Sequence, residues 1–138
     1  MRLRKFRVRA FRCIHDSGDI TVGDLAAFVG RNESGKTTIL QALTLLNKDE
    51  IASDLDLCDE MVEELKSEVK IAEGEFQLNK NEINMIKEKF PSIEISKIKI
   101  FRTNKEQEIQ YNLEYFQQNL IVVLYYFANV LGFYLLPR

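Results

Sequence analysis

Leu25-Ala26-Ala27-Phe28-Val29 followed by Gly30-Arg31-Asn32-Glu33-Ser34-Gly35-Lys36-Thr37 is the stretch whose reading decides the fold. The second part is a complete G-x-x-x-x-G-K-[ST] phosphate loop. Its chemistry needs backbone N–H groups converging on phosphates, and Gly30 and Gly35 permit the tight turn and close approach. Lys36 brings a point charge toward the β- and γ-phosphates, and the Thr37 hydroxyl suits the Mg²⁺ that bridges them. The apolar run 25–29 predicts a buried strand entering the loop. Thr37 to Asn47 predicts a helix leaving it, with Ile39, Leu40, Leu43 and Leu46 on one face and Asn47 as its stop. The helix dipole adds positive potential at the loop. A chance octapeptide is the competing reading, and the flanking strand and helix argue against it.

Outward from the loop, 138 residues with 46% apolar and 29% charged side chains describe about one globular domain. The net charge of −2 gives no overall pull toward nucleic acid or anionic membrane. Locally, Arg2, Arg4, Lys5, Arg7, Arg9 and Arg12 make the N-terminus basic, with Leu3, Phe6, Val8, Ala10 and Phe11 interleaved. A strand with its polar face in water is the favoured explanation, and a nucleic-acid contact is the alternative. Cys13 and Cys58 stand alone, with neither disulfide-framework nor zinc spacing, which fits a reducing, cytoplasmic setting. His15 sits beside Asp16 in a turn and reads as a solvated residue. No apolar run of signal-peptide length follows the basic N-terminus.

Strands are expected at 2–14 and 20–22, joined by the turn 15–19. Ser53 and Asp56 form a variant capping box ahead of an acidic amphipathic helix marked by Leu57, Met61 and Leu65. Residues 68–78 read as a strand whose apolar parity switches at Gly74, a candidate bulge. Asn79 and Glu82 form a second capping box, with Ile83, Ile86 and Phe90 as the stripe of the helix and Pro91 after it. Strands at 93–102 and 108–115 form a hairpin.

The order of basic strand, Phe11-Arg12-Cys13-Ile14, acidic turn, Gly23-Asp24-Leu25, the loop 28–38 and Leu40-Gln41-Ala42-Leu43 resembles the N-terminal part of ABC-type ATPase heads, specifically RecF-like and OLD-family (AAA-type) ATPases. The resemblance is specific over residues 1–47. It implies an α/β fold, a P-loop NTPase of ABC-ATPase-head type, of which this chain supplies the N-terminal portion with strand pair, P-loop, helices and an antiparallel hairpin. It implies ATP and Mg²⁺ as cofactors, held by Gly30, Arg31, Asn32, Glu33, Ser34, Gly35, Lys36, Thr37 and Thr38. Lys36 and Thr37 would bind phosphate and metal, Asn32 would lie over the γ-phosphate, and Thr38 would support the α-phosphate. Such heads form homodimers around two ATP molecules and commonly act on DNA, in repair or phage defence.

No Leu-Ser-Gly-Gly signature and no apolar strand ending in Asp-Glu occurs in the sequence. Leu55-Asp56-Leu57-Cys58-Asp59-Glu60 is the nearest approach to the latter and reads as helix surface. Residues 1–115 are therefore expected to form a partial ATPase domain, the front of a longer head shortened by truncation or frameshift. Leu120 to Leu136 is uncharged, and as a helix it would span about 26 Å at ~1.5 Å per residue, just short of a ~30 Å hydrocarbon core. Residues 116–138 thus read as a helix packing beneath the rest of a head, as residues from a shifted frame or, less favoured, as a membrane segment. Three function classes stay open: a DNA-linked ATPase, a nucleotide-binding remnant without hydrolysis, and another P-loop enzyme such as a GTPase or kinase. Asn47-Lys48-Asp49-Glu50 and Asn79-Lys80-Asn81-Glu82 are poor matches to the Asn-Lys-x-Asp that guanine recognition needs.

Overall fold

Alternation builds the first element. Along β1 (Arg2–Phe11), Phe6, Val8 and Ala10 are buried while Lys5, Arg7 and Arg9 stay partly exposed, the two-residue period of a strand with one wet face. The computed structural model describes residues 1–32, 34–47, 50–92 and 94–105, and the backbone of 110–112. One edge of β1 pairs with β4 (Lys70–Gln77), and the other with the short β2 (Ile14–Asp16) and β3 (Ile20–Thr21). Beyond β4 come β5 (Lys97–Thr103) and β6 (Gln110–Asn112), and every pairing is antiparallel.

The register sets Phe6, Gly74 and Ile100 in one cross-sheet row and Arg7, Glu73 and Phe101 in the next. The first row faces the core, where Phe6, Val8, Ala72, Phe76, Ile98 and Ile100 meet Ala42 of α1 (Lys36–Thr44), Leu45 and Leu46 just after it, and Ile86 of α3 (Lys80–Lys89). Each fully buried isoleucine contributes roughly 1.5–3 kcal/mol. A smaller cluster of Ala10, Cys58 and Val69 seats Met61 and Leu65 at the two ends of the segment carrying α2 (Val62–Leu65).

The basic N-terminus is neutralised within the fold. Arg2 and Arg4 pair with Asp24, Lys5 with Asp19, Arg7 and Arg9 with Asp16, and Arg12 with Asp56. This is the wet strand face expected from the sequence.

Several local expectations are met. The Asn79–Glu82 capping box forms, with Glu82 N–H donating to Asn79 Oδ1 at 2.9 Å and Asn79 N–H to Glu82 Oε2 at 2.7 Å. The Ser53–Asp56 box forms too, but it opens a single 3₁₀ turn over Asp54–Asp56. The acidic helix shrinks to four residues, because Leu57 is drawn into a bridge with Phe11.

Other expectations are corrected. The strand read as 2–14 ends at Phe11, where Arg12 and Cys13 make a two-residue turn into β2. Gly74 is not a bulge; the register shifts lie at Leu3/Lys5 and Lys70/Ala72, and the latter accounts for the parity change. Of the stripe expected on α1, Ile39, Leu43 and Leu46 do pack on the core, joined by Ala42 and Leu45, and only Leu40 points outward. Residues 25–29 are not a strand: Leu25 is 91% and Val29 93% exposed, and only Phe28 of this run joins the core. A strand exists through its ladder, and no strand among the described residues pairs with this run. Residues 116–138 lie outside the described residues. Among the described residues, no helix is long and apolar enough to cross a membrane.

Candidate functional site

Gly35 fixes the entry to α1. It stands at the N-cap with φ 81, a left-handed conformation, and a Cβ there would come within 2.9 Å of Ile14 Cδ1. Glycine meets both demands at once. The first helical bond follows immediately, from Ile39 N–H to the Gly35 carbonyl at 2.9 Å. The cap uses no side-chain acceptor, so the early amides of α1 are not consumed by a capping residue.

Lys36 curls back into the loop. Its Nζ donates to the Gly30 carbonyl at 2.8 Å, to the Ser34 hydroxyl at 3.1 Å and to the Arg31 carbonyl. A Cβ on Gly30 would stand 3.1 Å from Ser34 Oγ and 3.9 Å from Lys36 Nζ, so the absent side chain keeps a cradle open over the ammonium. Cys13, Asn32, Gly35, Lys36, Thr37 and Thr38 line an open cleft of about 490 Å³. A second cleft of about 490 Å³ lies along Arg7, Arg9, Glu64, Ser67, Glu68 and Lys70, where acids and bases alternate, so chemistry rather than size separates the two. In the first cleft the donor set is cationic and hydroxylic with helix amides behind it. That set fits a polyphosphate, and the exposed Thr37 is the hydroxyl suited to its divalent cation.

The structure therefore brings Gly30, Arg31, Asn32, Ser34, Gly35, Lys36, Thr37 and Thr38 to one place, while Glu33 lies outside the described residues. It adds residues that the sequence reading left out. The β1–β2 turn packs on the loop: Ile14 against Gly35, and Cys13 Sγ 3.7 Å from Thr38 Oγ1. Arg12 fastens that turn. Its Nε and Nη2 donate to Asp56 Oδ1 at 3.0 and 2.8 Å, and its Nη1 donates to Gln41 Oε1 on α1. Arg12 holds φ 49, a conformation few non-glycine residues adopt. The arginine, backed by Ser53, keeps the Asp56 carboxyl below its ordinary range. No glycine marks this turn, so only strand register could have located it.

Within the stretch 55–60, the nearest approach to a strand ending in Asp-Glu, two of the three acids are engaged elsewhere. Asp56 serves Arg12, and Glu60 Oε2 lies 2.7 Å from His15 Nε2. Among the described residues no cluster of three or more His, Cys, Asp or Glu could hold a metal.

The profile of the AAA ATPase domain matches residues 1–130. The chain is similar to an OLD nuclease of Thermus scotoductus, 48% identical over 44 residues that make up 32% of the chain and 8% of that protein. It is also similar to an uncharacterized protein of Methanocaldococcus jannaschii, 32% identical over 121 residues, 83% of the chain and 35% of that protein. The chain thus spans about a third or less of the curated relatives it matches.

Proposed function

We propose, from the premise that the chain belongs to the AAA ATPase domain family, that it is the ATP-binding N-terminal part of an ABC-head-type P-loop ATPase. The full protein would work in the cytoplasm on DNA, in repair or phage defence, as a homodimer whose heads meet around ATP. The observation that carries the reading is the Lys36 ammonium, folded over Gly30 and Ser34 at the N-terminus of α1.

Mg²⁺-ATP supplies the transferable phosphoryl group when bound. This chain's residues do the holding. Lys36 would exchange neutral carbonyl acceptors for anionic phosphate oxygens, adding ion pairing to its charge-assisted hydrogen bonds. The amides of α1 and its dipole act on the same anion. Thr37 offers its hydroxyl to the cation, and Asn32 and Thr38 line the remaining cleft.

Titration calorimetry with Mg²⁺-ATP on the chain and on Lys36→Ala tests the reading. Loss of one such bond, ~1.5–3 kcal/mol, corresponds to at least about tenfold weaker binding. Equal affinity sinks the assignment, and tighter binding of GTP than of ATP moves the chain to the GTPase class.

A second reading, binding without turnover by this chain alone, is favoured by the contact of Glu60, one acid of the Asp59-Glu60 pair, with His15.

A further inference from the structure

A guanidinium is buried at the far end of the loop helix. Arg102, on the core face of β5, is 1% exposed and sits beside the apolar cluster. Burying a permanent charge is costly unless it is hydrogen-bonded. Arg102 Nε donates to the Leu45 carbonyl at 2.9 Å, and its Nη2 to the Asn47 carbonyl at 3.0 Å. Leu45 is the C-cap of α1, at the negative end of the helix dipole, and Asn47 belongs to the turn that follows it. Meanwhile the last turn tightens, with Leu45, Leu46 and Asn47 N–H donating three residues back.

A second contact fixes the same turn by different chemistry. Gly74 lies in the core-facing row beneath it, and a Cβ there would come within 2.7 Å of Leu46 Cδ1. Leu46 is thus seated directly on the backbone of β4. The opposite end of α1 carries the phosphate loop and rests on the β1–β2 turn through Gly35, Thr38 and Gln41. Between the two ends, Leu40 is 52% exposed. Nine residues at ~1.5 Å each make a rod of about 13–14 Å, short enough that a shift at one end appears at the other.

We propose that Arg102 is a positioning residue of the nucleotide site, acting through α1: its fork on Leu45 and Asn47 sets the tilt and axial position of the helix, and so where Gly35, Lys36 and Thr37 meet the phosphates. The proposal rests on the nucleotide reading above. An aliphatic side chain of similar volume would fill the space but withdraw the guanidinium's two donors from the Leu45 and Asn47 carbonyls. A lysine would keep the charge and lose the planar fork. Placement errors of an ångström are enough to weaken a preorganised site severely.

The test uses the full chain. Wild type, Arg102→Met, Arg102→Lys and Ile98→Val, a truncation on the same strand, are titrated with Mg²⁺-ATP at a temperature where circular dichroism shows each folded. Thermal midpoints are recorded in parallel. Arg102→Met is expected to bind at least about tenfold more weakly, with Arg102→Lys between it and wild type. Ile98→Val is expected to lose thermal stability and keep wild-type affinity, a split from Arg102→Met that a merely structural role for Arg102 would not produce. Wild-type affinity in a folded Arg102 variant overturns the proposal, as does an equal loss in Ile98→Val. Should Arg102→Met fail to fold, Arg102→Lys decides by the same criterion. Absence of ATP binding by wild type overturns the nucleotide reading itself, and the proposal with it.

Discussion

The Phe28 ring meets the Phe6 ring edge-on, centroids 6.2 Å apart and planes at 71°. This pair ties the approach to the phosphate loop onto the first strand, where no ladder holds residues 25–29. Edge-to-face pairs contribute about 0.5–1.5 kcal/mol beyond their buried area. A double-mutant cycle with Phe6→Leu and Phe28→Leu, read by urea unfolding, should return a coupling in that range. A coupling near zero would show that the run is held by something other than the ring pair.

Steady-state phosphate release by residues 1–138 should be negligible even where ATP binds. Phosphoryl transfer needs a positioned water and neutralised charge, and of the Asp59-Glu60 pair Glu60 already faces His15. Turnover near one per second, abolished by Lys36→Ala as contamination control, would contradict this and direct attention to Asp59 and Glu60.

Gly74→Ala should destabilise the chain by about 1–3 kcal/mol, because a single methyl there must displace both Leu46 and Phe76. Chemical denaturation measures it. Pairing the change with Leu46→Ala should cost less than the two single losses together, since the second substitution removes one of the two colliding atoms, Phe76 Cε2 being the other.

The Asp16 carboxyl is held at about 2 by the Arg7 guanidinium, with the Gly18 amide assisting. A depressed carboxyl contributes stability that is complete above its unfolded value near ~3.9 and is lost as pH falls toward the folded value. Asp16 is 35% exposed at its side chain, so screening limits the contribution to roughly 1 kcal/mol or less. Asp16→Asn should therefore be less stable than wild type at pH 6, with the gap closing as the pH falls to about 2. A pH-independent gap would mean that the substitution disturbs the β1–β2 hairpin by other means.

How much of this was legible follows the range of each signal. The phosphate loop and the capping boxes at Ser53 and Asn79 were readable because their partners lie within a few residues. The core side of β1 was readable because alternation is local. Residues 25–29 have the composition of a strand, yet a strand depends on a free neighbouring edge, which composition does not encode. Gly74 resembled a bulge because the demand on it comes from Leu46, nearly thirty positions earlier in the chain. Arg12 passed as one more surface cation, since its turn carries no glycine and its partners Gln41 and Asp56 are brought in by folding.

The wet face of the sheet has a consequence at long range. Its rows run acidic at Asp16 and Asp19, basic at Lys5, Arg7 and Arg9, acidic at Glu73 and Glu75, and basic again at Lys97 and Lys99. Strands lie only ~4.8 Å apart, well inside the ~8 Å Debye length of physiological salt. Neighbouring stripes of opposite sign therefore cancel before their field reaches a passing polyanion. The N-terminal arginines, conspicuous in the sequence, exert almost no pull on anything beyond contact distance, and their charge is spent on aligning one strand with the next.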